Sequence, residues 1–418
     1  MFREVVVTGI GVITPIGGNR DSFARALRSG GGGITAEDGD GLGVAGRAPS
    51  LDFGERLAAL KLPQSIHSRA HKAGRRVPFS AQLSILTALE AWIHAFGPDE
   101  AASSELASLI VAGNNISPGY PYRMREKFTQ ALDLIPASYS LHFLDTDHVG
   151  ILSEVLGVKG EGCTVGGASA SGNMGILQGW RQVRHGIANT CLVVGAMTDL
   201  SPMELQAFRN AGALGGARFK AEPEQACRPF DRDREGFIYG QGSACLILES
   251  ADSAKARGAK ILGCVAGVAT CLDANRLSHP SVEGEARAMR LALEQAGLPP
   301  KAVDYVNAHA TSSIVGDEVE AKALKAVFGA HLSSVGVNAT KGLTGHCLHA
   351  AGVVEAAAML IQMNHQFLHP NLNLKHPVDA ACGFVGSTAQ RADIEVGMSN
   401  AFGFGGINTS LVIRRVRS

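Results

Sequence analysis

The chain has 418 residues, 45% of them hydrophobic and 18% charged, enough apolar material for one large core or two fused ones and too much for disorder. Lys+Arg and Asp+Glu balance at 38 each, which removes the long-range field that draws in nucleic acid or anionic lipid. No stretch reaches the ~18 uninterrupted apolar residues of a membrane span, and Met1–Val7 carries no signal-length apolar segment, so a cytoplasmic protein is expected.

Taken in chain order, short apolar runs alternate with longer amphipathic ones. Val5–Val7 reads as a strand feeding "TGIGVITPIG", and residues 30–75, rich in Gly and charge, read as a surface excursion. Leu109–Val111 and Cys191–Val194 are further strands, each running into small residues, "AGNN" and "GAMTD". Between them, "GNMGILQGWRQVRH" predicts a helix over about 172–185, with Met174, Ile176, Leu177, Trp180 and Val183 on one face. In the second half, Ile261–Val268, Tyr305–Val306, Val335–Val337 and Ile394–Val396 read as strands. Helices are predicted near Asp317–Phe328, acidic at its start and basic towards its end, and over His349–Met363. The pattern is α/β with buried sheets. "AKILGCVAGVAT" (259–270) repeats the pattern of "REVVVTGIGVIT" (3–14), which divides the chain into halves of 1–250 and 251–418.

Eight cysteines are scattered without CxxC spacing, several in apolar runs, and read as buried reduced thiols. His346-Cys347-Leu348-His349 has no second cluster at ligand spacing, so no metal is expected.

Polar residues interrupt apolar context in four places. "TVGGASASGNMG" (164–175) is a small-residue turn entering a helix; "VNAHATSS" (306–313) sets His309 after a short strand. "NATKGLTGHCLHAAG" (338–352) spaces Lys341 and His346 around two glycines, and "SNAFGFGGIN" (399–408) is a glycine-aromatic loop. Together, and with "VVVTGIGVITPIG" and "RPFDRDREGFIYGQGSACLILE", these motifs resemble end to end the β-ketoacyl-(acyl carrier protein) synthases, the condensing enzymes of fatty acid and polyketide synthesis. The resemblance implies a thiolase-like fold, two similar halves in a layered αβαβα arrangement, assembled as a homodimer. It implies a substrate carried on the phosphopantetheine of an acyl carrier protein, and no other cofactor.

The resemblance also assigns roles. The family's active-site histidines fall on His309 and His346, its lysine on Lys341, and the acidic partner of that lysine on Glu355. Phe404 matches the aromatic that screens the acyl and malonyl chambers; Phe402, Thr311 and Gly405 join it at the substrate, with Asn408 in support. The nucleophile position, a cysteine in the family, is Ser169 here, and Cys163 lies on the wrong side of the turn to replace it.

That one change separates two operations. Parking an acyl chain needs a thiolate, because a serine alcohol is a far weaker acid and needs a positioned base. Removing carbon dioxide from a malonyl thioester needs only hydrogen-bond donors for the developing oxyanion and a dry wall for the departing carboxylate. The combination resembles the decarboxylating ketosynthase-like proteins of polyketide β-branching, which turn malonyl- into acetyl-carrier protein for a hydroxymethylglutaryl-synthase-like partner. A serine acyltransferase and a non-catalytic, chain-length-factor-like subunit are the competing readings. Asp145-Thr146-Asp147-His148, near the expected acyl pocket, would repel a long fatty chain if it faces inward. Arg209, Arg218 and Lys220 are the candidate docking patch for an acidic carrier protein.

Overall fold

The opening strand runs further than its valines predict. β1 (Val5–Ile13) continues through Gly9 and Gly11 rather than turning there, because the helix Phe79–Phe96 lies directly on it. A Cβ on Gly9 would sit 2.2 Å from the Ala91 carbonyl oxygen, and one on Gly11 2.0 Å from that of Thr87. These glycines serve close approach, not a turn.

The computed structural model describes residues 2–37, 43–98, 107–276 and 279–417. β2 (Ile34–Glu37) and β3 (Gly43–Gly46) form a small antiparallel pair within the predicted surface excursion. The main strands of the first half are β4 (Ala107–Ala112), β5 (Gly162–Val165), β6 (Thr190–Gly195) and β7 (Ser243–Ser250). Those of the second are β8 (Gly263–Leu272), β9 (Tyr305–Asn307) and β10 (Gly336–Asn338), then, after a two-residue ladder of β11 (Phe367–Leu368) and β12 (Gln390–Arg391), β13 (Val396–Gly403) and β14 (Ile407–Arg414).

Ten of these strands form one sheet in the order β10-β9-β13-β14-β8-β1-β7-β6-β4-β5. Read outward from the middle, β1-β7-β6-β4-β5 and β8-β14-β13-β9-β10 pair in the same sequence of senses: antiparallel, antiparallel, parallel, parallel. Only two residue pairs, Val6 with Cys264 and Val7 with Gly263, join the two sets. This repeated topology is the thiolase-like arrangement.

Two helices fill the space between the sets. Ser171–Arg184 packs on β4 and β6, and Ala351–His365, buried from Ala351 to Met363, packs on β13. They meet at Gly172 and Gly352, where a Cβ on Gly172 would lie 2.7 Å from Gly352 Cα. Each is preceded by a tight 3-10 turn, Ala168–Ala170 and Leu348–Ala350, whose first residue has positive φ, +48° and +49°. Ser169 and His349 are thus the middle residues of two matching turns. The predicted third helix begins two residues late for this reason: His349 belongs to the turn, not to the helix.

The outer faces are covered by Phe79–Phe96 on β1 and β7 and by Val282–Ala296 on β8 and β14. "SNAFGFGGIN", read as a loop, is mostly sheet: β13 runs to Gly403, β14 resumes at Ile407, and the turn between them includes Gly405 and Gly406 at φ +91° and +70°. No described helix is long and apolar enough to cross a membrane.

Candidate active site

The two matching turns and the ends of β4, β6, β9 and β13 converge on a cavity of about 780 Å³. Ser169, His309, His346, Thr311, Phe402, Phe404 and Asn408 all line it. Gly405 does not, and neither do Lys341 or Glu355, which lie behind the wall. Their buried ion pair backs His309, and Lys341 Nζ lies 3.5 Å from His309 Nδ1. Lys341, expected among the catalytic groups, lies beneath an imidazole and does not line the cavity.

Ser169 is set by its neighbours. Ser171 Oγ accepts from Gly167 N–H at 2.9 Å and donates to the Ala168 carbonyl at 2.7 Å, fixing the turn that presents Ser169. Ser169 Oγ lies 2.8 Å from His346 Nε2. The direction of that bond is decided on the other side of the ring, where Leu348 N–H points at His346 Nδ1 from 3.2 Å. A backbone N–H can only donate, so Nδ1 accepts, the neutral ring carries its proton on Nε2, and Nε2–H donates to the serine.

His309 is arranged alike. Its Nδ1 faces the Lys341 ammonium, which favours an unprotonated Nδ1 and a proton on Nε2. Glu320 anchors its loop by accepting from His309 N–H at 2.8 Å and Ala310 N–H at 2.7 Å. The methyl of Ala310 is buried in the apolar cluster beneath the helices Val282–Ala296 and Gly316–Phe328. The two imidazoles stand edge to face, 5.8 Å between centroids. Burial holds both well below the ordinary histidine value, and the Lys341 charge pushes the same way. Burial raises the Glu355 carboxyl to about 7 against the opposing pull of Lys341.

The aromatic wall differs from expectation. Phe402 packs on His309 at 5.4 Å and Phe237 on His346 at 5.5 Å. Phe404 is 48% exposed, with its ring 6.3 Å from Phe208. The dry surface beside the imidazoles therefore comes from Phe402 and Phe237. Phe237, in "REGFIYG", gave no sequence signal of its own. Asn408 donates to Asp273 Oδ1 at 2.8 Å.

The charged stretch before Ile151 does not face the cavity. Asp145 accepts from the N–H groups of Asn115 and Ile116 at 2.7 and 2.8 Å, Asp147 pairs with His142, and His148 is buried against Ser84. It braces the loop after β4 instead of lining an acyl pocket. Cys163 is exposed on β5, six residues before Ser169, and does not line the cavity. Among the described residues no three metal-capable side chains cluster. Of the expected docking residues, Arg209 lies on Pro202–Asn210, the helix whose Phe208 lines the cavity. Arg218 is paired with Glu235 beside a second hollow, and Lys220 packs near Gly43.

The β-ketoacyl synthase N-terminal domain matches residues 2–254 and the β-ketoacyl synthase C-terminal domain residues 262–375. The chain belongs to the β-ketoacyl synthase family. It is 40% identical over 414 residues, 99% of this chain and 97% of the other, to the polyketide biosynthesis malonyl-ACP decarboxylase PksF of Bacillus subtilis. It is 33% identical over 430 residues to 3-oxoacyl-[acyl-carrier-protein] synthase 2 of Synechocystis, covering 99% of this chain and 98% of that one. A β-ketoacyl synthase structure from Burkholderia phymatum superimposes with a TM-score of 0.86 at 29% identity, over 99% of this chain and 100% of that one.

Protonating either imidazole of this synthase-family site would put a second proton on Nδ1, against the Leu348 N–H in His346 or the Lys341 ammonium in His309, and so disturb the aim of both Nε2–H donors. Because their values lie below the ordinary 6.5, the neutral form persists as pH falls through the range where a free imidazole gains its proton. The turnover rate on a carrier-bound substrate is therefore expected to stay flat between about pH 8 and pH 6. A stopped-flow pH profile checks this, and a fall centred near about 6.5 contradicts it.

Proposed function

We propose that this protein decarboxylates malonyl-(acyl carrier protein) to acetyl-(acyl carrier protein) in polyketide β-branching, where a hydroxymethylglutaryl-synthase-like enzyme consumes the acetyl group. The observation that carries this reading is the Leu348 N–H bond to His346 Nδ1, which turns His346 into a donor towards the substrate space. Ser169 then has no base. His346 offers it a proton rather than a lone pair, and the Nδ1 of His309 faces an ammonium. An alcohol without a base is a poor nucleophile, which disfavours the serine acyltransferase reading. Retention of both donors and of the buried Lys341–Glu355 pair disfavours a non-catalytic subunit.

In the reaction, the phosphopantetheine arm delivers the malonyl thioester with its carbonyl oxygen between His309 Nε2–H and His346 Nε2–H. The bond from C2 to the carboxylate breaks, and its electron pair becomes the enolate. Carbon dioxide leaves, and the two N–H groups hold the enolate oxygen until C2 takes a proton from solvent water and acetyl forms, with hydroxide as the balancing product. Phe402 and Phe237 keep water from the carboxylate, which favours its departure as a neutral molecule. Similarity to a malonyl-ACP decarboxylase of polyketide biosynthesis supports the substrate and the pathway class.

Intact mass spectrometry of malonyl-loaded carrier protein tests this. Wild-type protein should remove carbon dioxide to leave the acetyl form. His309→Ala and His346→Ala should each slow this by about 10²–10³-fold, the worth of one oxyanion donor. Ser169→Ala, which deletes a neutral hydrogen bond, should stay within about tenfold of wild type. An acyl mass on Ser169 with the malonyl-carrier protein untouched would overturn the reading.

The surface supports a homodimer as well. β5 ends the sheet as a largely exposed strand. Phe128, Leu132, Leu134, Leu141 and Phe143 expose apolar surface on the segment that precedes it. Light scattering coupled to gel filtration should give twice the 43.5 kDa chain mass; a monomer mass would refute the dimer.

A further inference from the structure

His349 has no role in the chemistry above, yet it occupies the place that mirrors Ser169. Both are the second residue of a 3-10 turn opened by a positive-φ residue, and the helices that follow cross at Gly172 and Gly352. Both line the same cavity. The His309 side of that cavity is built on the ends of β9 and β13, whereas His349, from the turn before Ala351–His365, packs against strands of the first half. It packs at the end of β4, where its Cβ lies 3.5 Å from the point a Gly113 Cβ would occupy, and bonds beyond the end of β6 to Thr198.

The side chain is held firmly. Thr198 Oγ1 meets His349 Nδ1 at 2.9 Å, and Tyr239 OH donates to the Thr198 carbonyl at 2.6 Å, fixing that segment. The neighbouring Asn114 also lines the cavity, on the loop whose Asn115 and Ile116 N–H groups are tied to Asp145. An imidazole, a hydroxyl and an amide therefore stand together in the lining on this side, among apolar groups of the same cavity such as Pro118, Leu200 and Leu348. Burial holds His349 near about 4, so the ring is polar but uncharged, with Asp145 pulling the other way.

We propose that His349, positioned by Thr198 and flanked by Asn114, is the residue that sets acyl specificity, by making the chamber beside Ser169 polar and so rejecting aliphatic chains in favour of two- and three-carbon acyl groups. A methylene chain entering this space would displace water from three polar groups without replacing its hydrogen bonds, whereas a short acyl group leaves that water in place. The proposal refines the malonyl–acetyl reading but rests on the chamber's lining, so it can fail or stand without it.

The test reads the chamber on a thiol and needs no decarboxylation. Ser169→Cys supplies a nucleophile, and mass spectrometry follows acetyl and hexanoyl transfer to it from the loaded carrier protein. The thiol attacks the thioester carbonyl, the acyl–sulfur bond to phosphopantetheine breaks, and the released thiol takes the proton. Acetyl should transfer at least about tenfold faster than hexanoyl, and Ser169→Cys/His349→Ala should bring the two within about threefold. Ser169→Cys/His349→Gln, which keeps a polar side chain, should retain the preference. Equal transfer in Ser169→Cys, or a preference unchanged by His349→Ala, overturns the proposal. If the introduced thiol accepts neither group, calorimetry with acetyl- and hexanoyl-pantetheine amides on otherwise wild-type protein makes the same comparison. There, an acetyl preference removed by His349→Ala supports the proposal, and equal affinities overturn it. Loss of decarboxylation with the chain-length preference intact would instead refute the functional reading alone.

Discussion

The bond from Leu348 N–H to His346 Nδ1 fixes the direction of the contact between His346 and Ser169. It exists because Leu348 adopts φ +49° at the head of the turn Leu348–Ala350, which turns its amide back towards the ring two residues earlier. With Nδ1 occupied, the proton must reside on Nε2, and the ring can only donate towards Ser169 and the substrate. A cysteine at position 169 could shed its proton under the influence of a helix N-terminus, but a serine in the same bond remains an alcohol. The site therefore keeps two imidazole donors without the thiol, the combination on which the proposed decarboxylation rests.

The buried Lys341–Glu355 pair does for His309 what a backbone amide does for His346. Both side chains are almost wholly enclosed, so the pair contributes little net stability and is costly to break from one side. Its use is orientation: an ammonium beside Nδ1 keeps that nitrogen unprotonated. Burial reinforces both arrangements by keeping the rings neutral. In the proposed reaction one N–H from each imidazole meets the same oxygen, and each would be worth about 3–4 kcal/mol in a transition state that develops charge there.

Much of this was legible in the sequence, for reasons that differ by residue. His309, His346 and Ser169 sit in short polar motifs that interrupt apolar runs, and the structure brings all three to one cavity. The halves showed in the similar segments at 3–14 and 259–270, which became β1 and β8, the two strands that join the sheet. Gly9 and Gly11 hid the full length of β1, because a glycine needed for close helix contact looks identical, in sequence, to one needed for positive φ. The sequence left open whether Asp145 faces the acyl pocket; charge alone does not say that two backbone N–H groups lie nearer. Phe237, Thr198 and His349 come from separate segments, and only the folded chain places them beside the catalytic histidines.

The central claim is a protonation state, and nitrogen-15 NMR of histidine-labelled protein reads it directly. Long-range couplings distinguish a ring nitrogen that carries a proton from one that does not, with His309→Ala and His346→Ala supplying the assignments. At neutral pH both rings should show a protonated Nε2 and a bare Nδ1, and should hold that form as the pH is lowered through 6.5, the ordinary histidine value. A proton on Nδ1 of His346 would leave Nε2 free to take the proton of Ser169, and the account of a donor-only site would be wrong.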